Sequence, residues 1–147
     1  MKRNSSLRNG RFSEPGRIYL VTFVTQDRKP IFYNFSCGRI VVNSIRHQES
    51  RSKTLAYTVM PDHVHWLLQL QETPLKTLIH SVKSYSSLQI NKQLNGTGRV
   101  WQQGFHDHAL RKEEDLKHLA RYVILNPVRA ELVKSVREYS LWDAMWL

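Results

Sequence analysis

His63-Val64-His65 and, some sixty residues later, Tyr122 and Asn126 are the side chains whose types and spacing suit chemistry. Residues two apart on a strand project from one face, so the two imidazoles would stand side by side and could clasp a divalent metal. Residues four apart on a helix lie one above the other, so a phenol and an amide oxygen would share a surface. Two imidazoles and one oxygen donor leave positions open for water and substrate oxygens, as a catalytic metal requires. A tyrosine hydroxyl is a poor nucleophile at its ordinary pKa of about 10 and needs a metal or base beside it. Each residue alone has a plainer reading: histidines recur on strands for packing, Tyr122 could border an apolar helix stripe, and Asn126 could cap a helix opened by Pro127. The joint spacing is what favours chemistry.

These residues need elements to position them. Leu55 to Met60 and His63 to Leu70 read as two strands broken by Met60-Pro61-Asp62. In the second, Val64, Trp66, Leu68 and Leu70 share a face that can fill a core, which leaves His63, His65, Leu67 and Gln69 to line a cleft. Ile18 to Thr25 is apolar at nearly every position, predicting a strand buried on both faces. Ser36 is the expected N-cap of a helix carrying Ile40, Val41 and Ile45. Thr73-Pro74 has the N-cap and N1 signature of a longer helix to about Leu94, whose apolar face is Leu75, Leu78, Ile79, Val82 and Tyr85. That series gives Tyr85 a core place in preference to a nucleophilic one.

Asn95-Gly96-Thr97-Gly98 marks a turn, and Val100 to Leu110 reads as a short strand or an ordered loop. Within it His106-Asp107-His108 repeats the histidine spacing, without clean alternation on its flanks. Lys112-Glu113-Glu114-Asp115 suits a helix start, with Leu116, Leu119, Ala120 and Val123 facing inward. Pro127 should end or kink that helix and open another through Val133. The aromatic tail Val136 to Leu147 is expected to pack on the domain. Strand, helix, strand, strand, helix, then a last strand and helices predict an α+β fold: a ferredoxin-like split βαβ sandwich with an antiparallel sheet and extra C-terminal helices.

The length suits one domain spanning 1–147, with residues 1–17 a basic, mobile arm carrying Lys2, Arg3, Arg8, Arg11 and Arg17. Twenty-two Lys and Arg against twelve Asp and Glu, a net charge of +10, favour a polyanionic partner, nucleic acid above all. Charge alone does not choose between DNA and RNA. Cys37 has no second cysteine to pair with, and the sequence shows neither a signal-peptide run nor a membrane span, so the expectation is a cytoplasmic protein with no membrane partner.

The chain resembles the REP-associated tyrosine transposases, in the single-tyrosine branch of the His-hydrophobic-His nucleases. Carrying the resemblance are Tyr19-Leu20-Val21-Thr22-Phe23, Arg28-Lys29-Pro30-Ile31-Phe32, Met60-Pro61-Asp62-His63-Val64-His65, Val100-Trp101-Gln102-Gln103-Gly104-Phe105, His108-Ala109-Leu110-Arg111 and Tyr122 through Ala130. It implies a ferredoxin-like endonuclease and strand transferase acting on single-stranded or hairpin DNA of palindromic repeats, as a monomer or homodimer. It further implies that His63, His65 and Asn126 bind Mg²⁺ or Mn²⁺ and that Tyr122 forms a 5′-phosphotyrosine. For the unpaired strand, Lys83, Arg99, Trp101, His108, Arg111 and Arg129 are the candidate contacts, with Trp101 equally suited to a core. The alternatives are a hairpin-binding protein that does not cut, or a metal-dependent hydrolase of RNA or another phosphoester.

Overall fold

A computed structural model of the chain describes residues 14–111 and 114–144. Its elements in order are β1 (Ile18–Val24), α1 (Phe35–Arg46), β2 (Ser52–Met60), β3 (His63–Leu70), α2 (Leu75–Leu94), β4 (His106–Ala109), α3 (Leu116–Ile124), α4 (Asn126–Arg129) and β5 (Trp142–Ala144). The strands form one antiparallel sheet in the order β4-β1-β3-β2-β5. Its first four positions are those of the split βαβ arrangement, with β3 between β1 and β2 and β1 between β3 and β4. The expected fold class is therefore present, and β5 adds an edge strand beside β2.

Alternation divides the sheet into two unlike faces. Val21 and Phe23 from β1, Tyr57 and Val59 from β2, and Val64, Trp66, Leu68 and Leu70 from β3 form the main core with residues of α1 and α2, including Val41, Ile45, Leu78, Ile79 and Val82. Trp66 is fully buried and satisfies its indole N–H by donating to Thr54 Oγ1 at 3.0 Å. On the other face a smaller cluster of Ala56, Leu67, Ala120, Val123 and Ala144 seats α3 on the sheet. The histidine face is thus only half a cleft, because Leu67 is fully buried beneath that helix. For the same reason β1 alternates between buried and half-buried positions and is not sealed on both sides.

Several local expectations shift. Asn34, not Ser36, caps α1, its side chain accepting from the Cys37 N–H. Pro74 is the cap residue of α2 and Leu75 its first helical residue, so the Thr73-Pro74 signature is displaced by one. Tyr85 stands 38% exposed with its ring against His47, while Ser86 and Ile90 take the buried positions on that face. The histidines of His106-Asp107-His108 lie on a true strand. Helix α4 ends at Arg129, short of Val133, and Glu131 follows in a left-handed conformation. Of the proposed arm, residues 1–13 lie outside the described residues. Residues 14–17 are tied down: the Gly16 N–H donates to the Leu70 carbonyl, Gln69 donates to the Gly16 carbonyl, and Glu14 pairs with Arg17.

The tail does pack, as β5 and through Leu141, which fits against Gly38 of α1 where a Cβ would come within 2.4 Å of a Leu141 methyl. Trp146 lies outside the described residues. Among the described residues no helix is long and apolar enough to cross a membrane.

Candidate functional site

The strand register gathers one row of side chains across the sheet. His106 of β4 faces Thr22 of β1, Thr22 faces His65 of β3, and His65 faces Thr58 of β2. The next row places Val24, His63 and Met60 together. His63 and His65 therefore share a face as the spacing requires, with ring centroids 4.9 Å apart and planes nearly perpendicular.

Each imidazole is held through the same nitrogen. His63 Nδ1 lies 2.7 Å from Asp62 Oδ1, and His65 Nδ1 lies 3.0 Å from Thr22 Oγ1. A partner on Nδ1 orients the ring and, where Nδ1 carries the proton, leaves the Nε2 lone pair for a metal, as outer-shell partners do in metal sites. Burial, the neighbouring His63 and the charge of Arg129 lower the His65 pKa to about 4, so this ring is neutral at physiological pH. Asp62 is held in turn by Arg28, whose Nε donates to Oδ2 at 3.0 Å. Burial would raise the Asp62 pKa, but hydrogen bonds from His63 and Arg28 outweigh it and keep the carboxylate below its usual range.

Helix α3 brings the tyrosine to these rings. Its N-cap is Asp115, which accepts from the Lys117 and His118 N–H groups. At its other end the Val123 carbonyl receives both the Thr58 hydroxyl, at 2.8 Å, and the Asn126 amide, at 3.2 Å. The first bond is buried and fixes the helix end over the histidine row; the second spends the amide nitrogen of Asn126 and leaves its oxygen for another partner. Tyr122 consequently sits with its ring 6.4 Å from that of His65, and it stays 47% exposed, open to a large substrate.

Arg129 closes the cluster. Its guanidinium lies 4.0 Å from the centroid of the Tyr122 ring, and it donates to Asn126 Oδ1 at 2.9 Å and to the Tyr122 carbonyl. The structure thus brings together His63, His65, Tyr122, Asn126 and Arg129. It also places His108 one row from His65 on the same sheet face, with Nε2 2.9 Å from Glu114 Oε1, while Arg111 donates its N–H to the same carboxylate. Arg99 stands exposed on the loop leading to Trp101.

Two of the expected DNA contacts are taken up elsewhere. Trp101 is 3% exposed, packs on Phe23 and Phe32, and donates its indole N–H to Ser86, so no base can stack on it. Lys83 belongs to α2 on the opposite face and donates to the Gln102 and Gly104 carbonyls, bracing the loop before β4. Residues missed by sequence reasoning are Thr22, Thr58, Asp62 and Arg28. Asp62 was signalled by adjacency to His63, whereas the two threonines become visible only through register. No group of three His, Cys, Asp or Glu side chains able to hold a metal occurs among the described residues.

Residues 16–126 match the family model described as Transposase IS200 like. The chain belongs to the IS200-like transposase family. A Haemophilus influenzae relative described as a "Putative REP-associated tyrosine transposase" is 28% identical over 141 residues, covering 84% of this chain and 77% of that protein. The REP-associated tyrosine transposase of Escherichia coli is 32% identical over 89 residues, covering 57% of this chain and 49% of the relative, so the shared stretch is about half of that transposase. Among solved structures, a REP-associated tyrosine transposase bound to a REP hairpin superposes with a TM-score of 0.73 at 21% identity, covering 90% of this chain and 79% of that one. A structure from Deinococcus radiodurans, also described as a transposase, superposes with a TM-score of 0.53 at 18% identity over 94% and 97% of the two chains. At 21% and 18% identity, these superpositions show a shared fold.

Proposed function

We propose that this IS200-like transposase cuts and rejoins single-stranded or hairpin DNA through the Tyr122 hydroxyl, with His63, His65 and Asn126 holding Mg²⁺ or Mn²⁺. The observation that carries this reading is the approach of an exposed tyrosine to two strand-borne imidazoles whose remaining nitrogens suit a metal. Hairpin DNA as substrate is supported by the solved relative described as bound to a REP hairpin and by the +10 charge of this chain.

The donor set fits a metal. Two neutral-capable imidazoles are already oriented by Asp62 and Thr22, and Asn126 Oδ1, which here accepts from Arg129, would exchange that guanidinium for the metal. When bound, the metal would polarise a non-bridging phosphate oxygen and ease departure of the leaving oxygen. The chain's own residues do the rest. The Tyr122 hydroxyl, exposed to solvent, passes its proton to water as its oxygen bonds to phosphorus and the P–O3′ bond breaks. The departing oxygen takes a proton to become a 3′-hydroxyl, and the phosphate remains on Tyr122 at a 5′ end. A later 3′-hydroxyl reverses the exchange, so the phosphoester is conserved without a nucleotide cofactor. Arg129, which stacks on the phenol ring, would supply a cation to the scissile phosphate.

The test is incubation of labelled hairpin and single-stranded oligonucleotides with Mn²⁺, followed by denaturing electrophoresis. The expected result is a protein–DNA band that requires metal and is absent in Tyr122→Phe. Cleavage that survives in Tyr122→Phe but not in His63→Ala would replace the tyrosine by water and make the protein a phosphoester hydrolase. Tight hairpin binding with no cleavage of palindromic repeat DNA would make it a binder alone.

A further inference from the structure

The loop between β1 and α1 has features that neither the core nor the catalytic cluster explains. Tyr33 is 70% exposed and Phe35 54% exposed, the two most exposed aromatic residues among those described. They are not loosely held. Between them Asn34 caps α1, and immediately before them Phe32 is buried against Trp101 with its N–H donated to the Pro61 carbonyl at 3.0 Å. Tyr33 and Asn34 also close backbone hydrogen bonds onto Pro30 and Ile31.

The same loop carries exposed cations and backbone strain. Asp27 and Arg28 both adopt left-handed φ values, 57° and 53°, which side-chain-bearing residues seldom take in succession. Thr25 anchors the turn by donating its hydroxyl to Lys29 and Asp62 carbonyls. Arg28 and Lys29 face solvent, and Arg28 reaches Asp62, the residue next to His63. Loop and β2–β3 turn thus meet at the end of the sheet that bears His63.

We infer that Tyr33 and Phe35, flanked by Arg28 and Lys29, form a stacking platform for unpaired bases beside the scissile phosphodiester. Solvent-facing rings on a hydrogen-bonded segment, in one loop with exposed cations, match how proteins hold single strands: cations follow the backbone while rings take the bases, whatever their sequence. The pre-capped segment keeps the rings in place before the strand arrives, which limits the ordering cost of binding. Net positive charge along the chain supplies the complement to phosphate and makes a nucleic acid the fitting occupant.

This inference rests on the DNA reading above and is tested on the intact protein. Fluorescence anisotropy compares a blunt hairpin with the same hairpin carrying a 5′ or a 3′ unpaired extension, and 2-aminopurine placed in the extension reports stacking. For Tyr33→Ala with Phe35→Ala, affinity for an extended hairpin should fall roughly 10- to 100-fold, from stacking of one or two bases. The 2-aminopurine quenching should vanish with it, blunt-hairpin affinity should change less than threefold, and Tyr33→Trp with Phe35→Trp should restore binding. Unchanged affinity and quenching on both extended hairpins, with wild-type binding intact, would overturn the platform and leave the DNA reading standing. Wild-type protein that binds no hairpin or single strand would overturn both.

Discussion

Thr22→Val removes one hydroxyl from beneath the proposed metal-binding face and leaves the shape of β1 intact. In the native protein Thr22 Oγ1 is 3.0 Å from His65 Nδ1, on a largely buried ring that is already neutral at pH 7. Without that oxygen Nδ1 loses its partner, and the ring is free to carry its proton on Nε2, where it competes with the metal. Leaving a buried polar nitrogen unsatisfied costs about 1–3 kcal/mol. Removing an outer-shell partner of a metal-binding histidine weakens affinity roughly 10- to 100-fold, or about 1.4–2.8 kcal/mol. The two estimates overlap, so Mn²⁺ affinity measured calorimetrically on DNA-free protein should fall by about that factor. Nitrogen-15 spectra of the imidazole should show the tautomer shifting away from protonated Nδ1, and Thr22→Ser should restore both. Mn²⁺ affinity within twofold of wild type, with the tautomer unchanged, would refute the role given to this hydroxyl and weaken the case for His65 as a ligand.

Other expectations concern the cation over the tyrosine, the buried tryptophan and the tail. Arg129→Met should raise Mn²⁺ affinity several-fold, because a nearby positive charge and a competitor for Asn126 Oδ1 are both removed, while slowing adduct formation on DNA; a fall in both would show that Arg129 only braces the fold. Trp101→Phe should lower stability to urea by roughly 1–3 kcal/mol through lost packing and the lost bond to Ser86, without altering hairpin affinity of the folded fraction. Burial and the nearby Tyr33 raise the Tyr139 pKa to about 12, and its hydroxyl donates to the Val59 carbonyl. A phenol whose folded pKa is raised contributes stability that is present below about pH 10 and lost as pH rises towards 12. Wild type should therefore lose stability between pH 10 and 12 more steeply than Tyr139→Phe in alkaline denaturation curves, and parallel curves would contradict the burial of that hydroxyl.

The fold was legible where one face of an element had to be apolar. Alternation through Val64, Trp66, Leu68 and Leu70 set the face of β3, and the helical series from Leu75 to Val82 set the face of α2. Elements whose reasons are tertiary were harder to read. His106 to Ala109 is short and half-exposed, so alternation had little to act on, and it becomes a strand only because the open edge of β1 accepts it. Tyr85 continued an apolar series on paper, yet α2 turns it towards the rim beside His47 and buries Ser86 instead, whose hydroxyl serves Val82 and Trp101.

The site divides along the same line. Spacing of two on a strand sufficed to pair His63 with His65, whereas Tyr122 and Asn126 fall in successive helices, α3 and α4, and are linked through Arg129. What joins the pairs is not local. Thr58 and Val123 are 65 positions apart, and their buried hydrogen bond sets the height of α3 above the sheet; Thr22 meets His65 across 43 positions because β1 and β3 pair in one register and no other. A slip of one residue in that register would turn Thr22 into the main core and leave His65 Nδ1 without its hydroxyl, so the apolar alternation that stabilises the sheet is also what orients the imidazole. The candidate site in this chain is therefore specified twice, once by its own residues and once by the core residues opposite them. Substitutions such as Phe23→Thr or Val64→Thr, whose side chains lie in the main core on the other face of the sheet, should disturb His63 and His65 through the register they hold.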